Sequence, residues 1–395
     1  MLSFQRGHDL PEQSRKAGSV PIIGSAGLTG WHNEARTLGP GVTIGRSGAS
    51  AGVVSYVKDD YWPHNTCLYV TDFQGNDPRY CFYWLSYMNL QRYNVGSAQP
   101  SLNRNHLYGI PVNVPQPPEQ RRIAELLGSL DDRIELTRRM NATLEAMART
   151  IFRDWFVGFG PTRAKMDGRP PYLVPDLWAL FPETLDADGK PKGWEASTIG
   201  EEVTVVGGTT PSTKEPAYWN GTLHWATPKD LSTLAVPVLL DTERRVTTEG
   251  LSQIGSGLLP VGSVLLSSRA PIGYLAVNLM PTAINQGFIG MVCDKRLSNI
   301  FVWLWTKMNM EVILQKANGS TFQEISKSNF RPIPVVVPST AALKAFESTV
   351  RPLWDRLCAN VREQGSLAAT RDLLLPRLMS GQLRIADAEH QIAAA

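Results

Sequence analysis

Two short polar loops carry the side chains best suited to contact a charged, hydrogen-bonding partner. The first, IGRSGAS, offers Arg46 and Ser47; the second, LSSRAPIG, offers Ser268 and Arg269. Glycines flank both, and a residue without Cβ lets backbone come close to a partner. A second pair of loops repeats the theme. Ser97, Gln99, Asn103 and Arg104 lie in GSAQPSLNR, and Ser320, Thr321, Gln323 and Lys327 lie in GSTFQEISK. Arg, Gln, Asn and Ser are the side chains that hold phosphate oxygens or pair in bidentate fashion with base edges. Lys214 and Lys229, with Trp31 and His32, are lesser members of the set. The chemistry implied is recognition of a polyanion.

Signatures of catalysis do not accompany these loops. GSGLLPVG at 255–262 breaks the GxGxxG pattern, and no phosphate loop, HExxH helix or GxSxG elbow occurs. PPY at 170–172 lacks the Asn or Asp that amino-methyltransferases place before it. The carboxylate pairs Asp59-Asp60 and Asp131-Asp132 have no Lys at nuclease spacing and read as solvated surface. Cys67, Cys81, Cys293 and Cys358 form no CxxC pair, and the six histidines are scattered, so neither a metal site nor a disulfide framework is expected. The chain reads as having no active site of its own.

The loops recur because the chain contains itself twice. GVTIGRSGASAGVV from Gly41 matches GSVLLSSRAPIGYL from Gly262, an offset of 221 residues. GSAQPSLNRNHLYGIPVNVP from Gly96 matches GSTFQEISKSNFRPIPVVVP from Gly319, an offset of 223. Such a period is far too long for a solenoid. It signals two copies of a domain plus a helix, hence two similar sites. We assign residues 1–115 to a first strand-rich domain, 116–157 to a helix, 158–194 to a Gly/Pro-rich connector, 195–338 to a second strand-rich domain, 339–380 to a second helix and 381–395 to a tail. The second domain opens with WEASTIGEEVTVV, whose equivalent falls before residue 1, so the first copy is expected to lack its opening strand.

Both helices carry an apolar seam at alternating four- and three-residue steps, the period of a coiled coil. In the first it runs Ile123, Leu127, Leu130, Ile134, Thr137, Asn141, Leu144, Ala148, Ile151 and Trp155. In the second it runs Phe346, Val350, Leu353, Leu357, Asn360, Gln364, Leu367, Arg371, Leu374 and Leu378. Antiparallel pairing sets Thr137 against Gln364 and Asn141 against Asn360; parallel pairing also matches polar with polar, but chain geometry favours the antiparallel form. Arg371 falls on the seam and must snorkel. Pro376 is expected to weaken the last contact, Leu378 with Ile123. The fold class is α+β: two similar strand-rich domains and two long helices in an antiparallel coiled coil with pseudo-twofold symmetry.

Bulk properties agree with a soluble recognition protein. With 395 residues, 43% hydrophobic and 19% charged, the chain has room for two or three cores. A net charge of +3 permits a polyanionic partner without demanding one. No apolar run reaches the ~18 residues of a membrane span and the start is polar, so a cytoplasmic location is expected.

These features resemble the specificity subunit of Type I restriction–modification systems. The resemblance rests on the domain-to-helix junction PVNVPQPPEQRRIAELLGSLDDRIE, the tandem GS loop followed by Ile-Pro-Val, HWATPKDLS at 224–232 and the ending LLLPRLMSGQLRI. It implies two target-recognition domains, each reading one half of a bipartite double-stranded DNA site, with the helices as a ruler for the unread gap. It also implies two methyltransferase subunits docked on the helices and endonuclease/translocase subunits that join for cleavage. S-adenosylmethionine, ATP and Mg would belong to those partners, with no cofactor on this chain. Two other readings stay open: a coiled-coil scaffold that binds only proteins, and a truncated or silent specificity cassette.

Overall fold

The structure, a computed structural model, describes residues 1–93, 101–319 and 323–388. It divides into two compact units, one of Met1–Leu136 with Glu363–Ala395 and one of Thr137–Arg362. The sequence-assigned loop residues Ser97, Gln99, Ser320 and Thr321 lie outside the described residues.

In the first unit, short runs of β-branched and aromatic residues between glycine turns form strands. They are β1 (Ser3–Arg6), β2 (Val20–Gly24), β3 (Gly27–His32), β4 (Gly41–Gly45), β5 (Val54–Val57), β6 (Trp62–Pro63) and β7 (Cys67–Asp72). One sheet has the order β1-β7-β4-β5 and the other β3-β2-β6. Helix α1 (Pro78–Tyr87) starts at Asp77, whose side chain accepts from the Tyr80 amide, and buries Tyr80, Cys81, Tyr83 and Trp84. The short α2 (Arg104–Tyr108) follows, then the long α3 (Pro117–Phe152), whose first part through Leu136 belongs to this unit.

In the second unit, α3 ends in a π turn at Arg153–Val157. The connector contributes α4 (Gly160–Met166) and α5 (Pro175–Trp178), with Phe181 buried 5.1 Å from the Trp155 ring. Then come β8 (Glu195–Thr198), α6 (Ile199–Glu202), β9 (Thr204–Gly207), β10 (Trp219–Ala226), α7 (Pro228–Ser232), β11 (Val238–Leu239), β12 (Arg244–Val246) and α8 (Thr248–Ser252). After these lie β13 (Val264–Ser267), β14 (Leu275–Asn278), β15 (Thr282–Ile284), β16 (Phe288–Val292), α9 (Asn299–Met308), α10 (Met310–Gln315), α11 (Lys327–Phe330), β17 (Pro334–Val337) and α12 (Thr340–Met379). The sheets run β9-β16-β13-β14-β11 and β12-β10-β15, with β8 paired to β17.

The two units thus share one topology. β4, β5 and β7 match β13, β14 and β16, and the cap Asp77 matches the cap Ser298 of α9. Of the stretch expected to have no equivalent in the first unit, the β9 part does have one. β1 pairs antiparallel with β7 as β9 pairs with β16, so the first sheet has its edge strand. Among the described residues β8 with α6 has no counterpart in the first unit, and neither do β11 and β17. The sequence offset misled because the stretch between β10 and β12, which holds α7 and β11, is longer than that between β2 and β3.

Each unit holds one part of the paired helices, and both parts run antiparallel. In the first, Ile123, Leu127 and Leu130 share a cluster with Leu374 and Leu378, and Leu367 packs at its edge. In the second, the Trp155 and Phe346 rings stand 6.1 Å apart, Leu144, Ile151 and Leu353 pack around Val350 and Leu357, and Asn360 bonds Asn141. Ile134 and Thr137 are buried, and Gln364 is half-buried. Arg371 escapes the seam by bonding Asp131 at 2.6 Å. Leu378 is buried despite Pro376, because a proline in the last turn removes one ladder bond without ending the helix.

Asp131 and Asp132 are not the solvated pair expected from sequence. Asp132 binds Lys58 and Arg79 at 2.6 and 2.8 Å, and Asp131 accepts from Tyr83 and Arg371. Arg79 also donates to the Gly128 carbonyl at 2.9 Å, and a Cβ on Gly128 would meet its guanidinium at 2.5 Å. The first domain is therefore fastened to its helix by ions. The second is fastened by rings, with Trp303 5.3 Å from Trp354 and Phe152, Phe156, Phe301 and Phe346 in mutual contact.

Candidate nucleic-acid interface

Ser25 sits under the first contact loop. Its hydroxyl donates to the Thr66 carbonyl at 2.6 Å and accepts from the Arg46 and Ser47 amides at 3.2 and 3.3 Å. The backbone is so held that Arg46 leaves the loop as a half-buried side chain. The second loop then zips onto the first: the Leu102 amide donates to the Arg46 carbonyl at 2.8 Å, and Ser47 bridges Ser101. Asn103 caps α2 by accepting from the Asn105 amide, which turns Arg104 back to bond the Phe4 carbonyl at 3.2 Å.

The outcome is a cleft of about 600 Å3 lined by Arg46, Asn103 and Arg104 together with Gln5, Arg6 and His8. Among the described residues no carboxylate forms an ion pair with Arg6, Arg46 or Arg104. Asp9, the acid at the rim, accepts from Asn65. Burial, then the nearby Arg36, holds His8 below the usual imidazole range, so the cleft's positive charge comes from arginines. Gln5, Arg6 and His8 went unassigned in the sequence because FQRGH reads only as a polar start; a cationic residue leaving an edge strand was the available signal.

The second unit repeats the construction with different side chains. The Ile325 amide donates to the Ser268 carbonyl at 3.0 Å, and Arg269 bridges Glu324. Arg46 and Ser268 thus occupy one backbone position, and Ser47 and Arg269 the next. Adjacent positions in extended chain point to opposite sides. Ser268 is buried, which leaves Arg269 as what this loop presents. Arg269 lines a cleft of about 580 Å3 with Gln323, Ile272 and Leu314, and its guanidinium stands 3.7 Å from the Glu324 carboxylate. The second cleft is accordingly less cationic and more apolar. Lys327 opens α11 where Arg104 opens α2, and lies against Gly207.

Other sequence-assigned residues are elsewhere. Lys214 is exposed between β9 and β10, and Lys229 pairs with Glu243 at 2.8 Å; neither lines the cleft. Trp31 is exposed on β3, whereas His32 is buried and accepts from the Lys16 amide. Burial pushes the Cys67, Cys81 and Cys293 thiols up to about 12 and Cys358 to about 11, which keeps them protonated at neutral pH. Among the described residues no His, Cys, Asp and Glu group is placed to hold a metal ion, and no helix is long and apolar enough to cross a membrane.

Two units of one topology, each presenting differently decorated loops from one shared frame, define a protein with a pair of recognition domains. Residues 6–146 and 191–344 both match the Type I restriction modification DNA specificity domain, and the chain belongs to that family. It is a DNA specificity subunit with two recognition domains. It is 25% identical over 338 residues to the Type I restriction enzyme HindI specificity subunit of Haemophilus influenzae, covering 72% of this chain and 71% of that one. It is 32% identical over 198 residues to the Type I restriction enzyme MjaIX specificity subunit of Methanocaldococcus jannaschii, covering 50% and 46%. In fold it is similar to the S subunit of a Type I restriction–modification system from M. genitalium, with a TM-score of 0.60 at 15% identity over 95% and 93% of the two chains.

Proposed function

We propose that this subunit reads a bipartite double-stranded DNA site, one half with each cleft, inside a cytoplasmic complex that modifies adenine. Arg46, Asn103 and Arg104 with Arg6 serve one half-site, and Arg269, Gln323 and Lys327 serve the other. Ser47, Ser97, Gln99, Ser320 and Thr321 join them as loop neighbours by sequence. The observation that carries the reading is the shared backbone bond, Leu102 to Arg46 and Ile325 to Ser268, beneath side chains that differ. A common frame with exchanged side chains is what two readers of different sequences need, because base contacts specify while the frame positions.

The paired helices dock two methyltransferase subunits and set the unread gap. Endonuclease/translocase subunits complete the cleaving form. S-adenosylmethionine, ATP and Mg act on those partners, and this chain supplies recognition alone. A genome-wide map of adenine methylation in cells with and without the gene tests the reading. A two-part motif that disappears with the gene is expected; an unchanged methylome contradicts it.

A further inference from the structure

In each unit the same backbone bonds tie the contact loop to the three-stranded sheet, β3-β2-β6 in the first and β12-β10-β15 in the second. In the first, the Arg46 amide donates to the Thr66 carbonyl at 2.9 Å and the His64 amide to the Ile23 carbonyl at 2.8 Å. In the second, the Ser268 amide donates to the Gly287 carbonyl at 2.7 Å and the Asn285 amide to the Ala226 carbonyl at 3.1 Å. One residue before those acceptors the registers coincide. Ile22 lies between Trp62 of β6 and Gly30 of β3, as Trp225 lies between Ala283 of β15 and Arg244 of β12. Gly30 and Arg244 therefore hold one position of the sheet.

Both units place a guanidinium there, from different parts of the chain. Arg244 is exposed, and its guanidinium stands 3.6 Å from the Trp219 ring and 5.3 Å from the Trp225 ring. At Gly30 the strand has no side chain, and Arg15 enters from the loop before β2. A Cβ on Gly30 would stand 2.9 Å from Arg15 Nη1, which donates to the Thr29 carbonyl at 3.3 Å. Attraction between a cation and an aromatic face accounts for Arg244 alone, because Trp225 is matched by Ile22. What the two units have in common is the cation. Among the described residues neither arginine forms an ion pair with a carboxylate, and Glu243, beside Arg244 in the chain, pairs with Lys229 at 2.8 Å. Arg15 also adjoins the first cleft. After burial, it is the main cause that holds the His64 imidazole below the usual range, and His64 bridges the cleft residue His8.

Resting on the reading of each cleft as the reader of one half-site, we propose that Arg15 and Arg244 are a matched pair of phosphate contacts. One flanks each cleft and seats its recognition domain on the DNA backbone without reading sequence. Two readers of different sequences must differ where they specify and can agree where they only position. The contact loops differ, with Arg46 in the place of Ser268 and Ser47 in the place of Arg269. The cation over the three-stranded sheet is kept, although the strand supplies it in one unit and a loop in the other. That is the behaviour of a positioning charge.

The assembled methyltransferase complex tests this, with a duplex carrying its methylation motif and a scrambled duplex of equal length. Arg15→Gln and Arg244→Gln should each weaken binding to both duplexes by the same factor and lower the salt slope by about one, and the double variant by about two. Arg15→Lys and Arg244→Lys should restore the slope, because a phosphate accepts a point charge where a base edge needs the guanidinium fork. Urea midpoints identify the folded forms, and Arg15→Met and Arg244→Met give second neutral variants that keep an unbranched stem over the sheet. Unchanged slopes in folded neutral variants overturn the proposal, since the arginines then only brace the sheet. A methylation motif that relaxes at particular bases overturns it as well, by making them base readers. An unaltered complex with no preference for the motif duplex overturns the half-site reading and this proposal together; a preference kept with unchanged slopes overturns this proposal alone.

Discussion

Asn360 donates from Nδ2 to Asn141 Oδ1 at 2.8 Å between two helices that pack beside it through the apolar Leu144, Val350 and Leu357. Both residues are fully buried, and Asn141 Nδ2 and Asn360 Oδ1 have no hydrogen bond. Each such atom costs roughly 1–3 kcal/mol. The contact therefore specifies register at the expense of stability, as a lone polar layer does in other coiled coils. Asn141→Leu or Asn360→Leu alone should lower the unfolding free energy by about 1–3 kcal/mol, because the remaining amide loses its partner. The double variant should recover that loss and exceed the unaltered chain. A double-mutant cycle by urea unfolding checks both statements.

The ionic fastening of the first domain predicts acid sensitivity. The Arg79 guanidinium, then Lys58, holds the Asp132 carboxyl down to about 2. The folded value lies below the unfolded one, so the contribution is present above about pH 4 and is lost as pH falls toward 2. Asp132 is 45% exposed, and solvent screening limits the effect to roughly 0.5–1 kcal/mol. Asp132→Asn should flatten the stability curve of the first unit between pH 4 and 2, read as urea midpoints against pH.

Arg6 is exposed at the cleft rim, where its side chain makes a 3.4 Å contact to the Asn65 carbonyl. A side chain so placed suits a phosphate better than a base edge. Arg6→Ala should weaken DNA binding by the assembled complex evenly across sequences and reduce the salt slope by about one. Fluorescence anisotropy at several salt concentrations checks this, and a changed recognition motif would count against it.

The ruler reading predicts a length effect. Seven residues inserted at facing points of α3 and α12 preserve the heptad and add about 10 Å. The gap between half-sites should grow by about three base pairs, at 3.4 Å per pair. An unchanged gap in the methylation motif would speak against the helices as spacer.

What was legible in the sequence follows from which forces are local. The seam showed because burial along a helix repeats at fixed steps, and Leu127, Asn141 and Leu357 are buried where the period places them. The repeated frame showed because turns and strands need the same residue types in both copies. Three features depend on folding partners and did not show. Asp131 and Asp132 meet Tyr83 and Arg79 only when α1 packs on α3. Arg6 enters the cleft only when β1 takes the edge of β7. Ser268 stands among the sequence-assigned contact residues, but it takes the backbone place of Arg46 and lies buried.

The central claim is that the two clefts read separate half-sites. Adenine-methylation maps from cells carrying Arg46→Ala or Arg269→Ala test it most directly. Each variant should relax bases in one half of the motif, a different half for each, with modification retained and the other half intact. Relaxation of the same half by both, or no change in either motif with both proteins folded, would contradict the account.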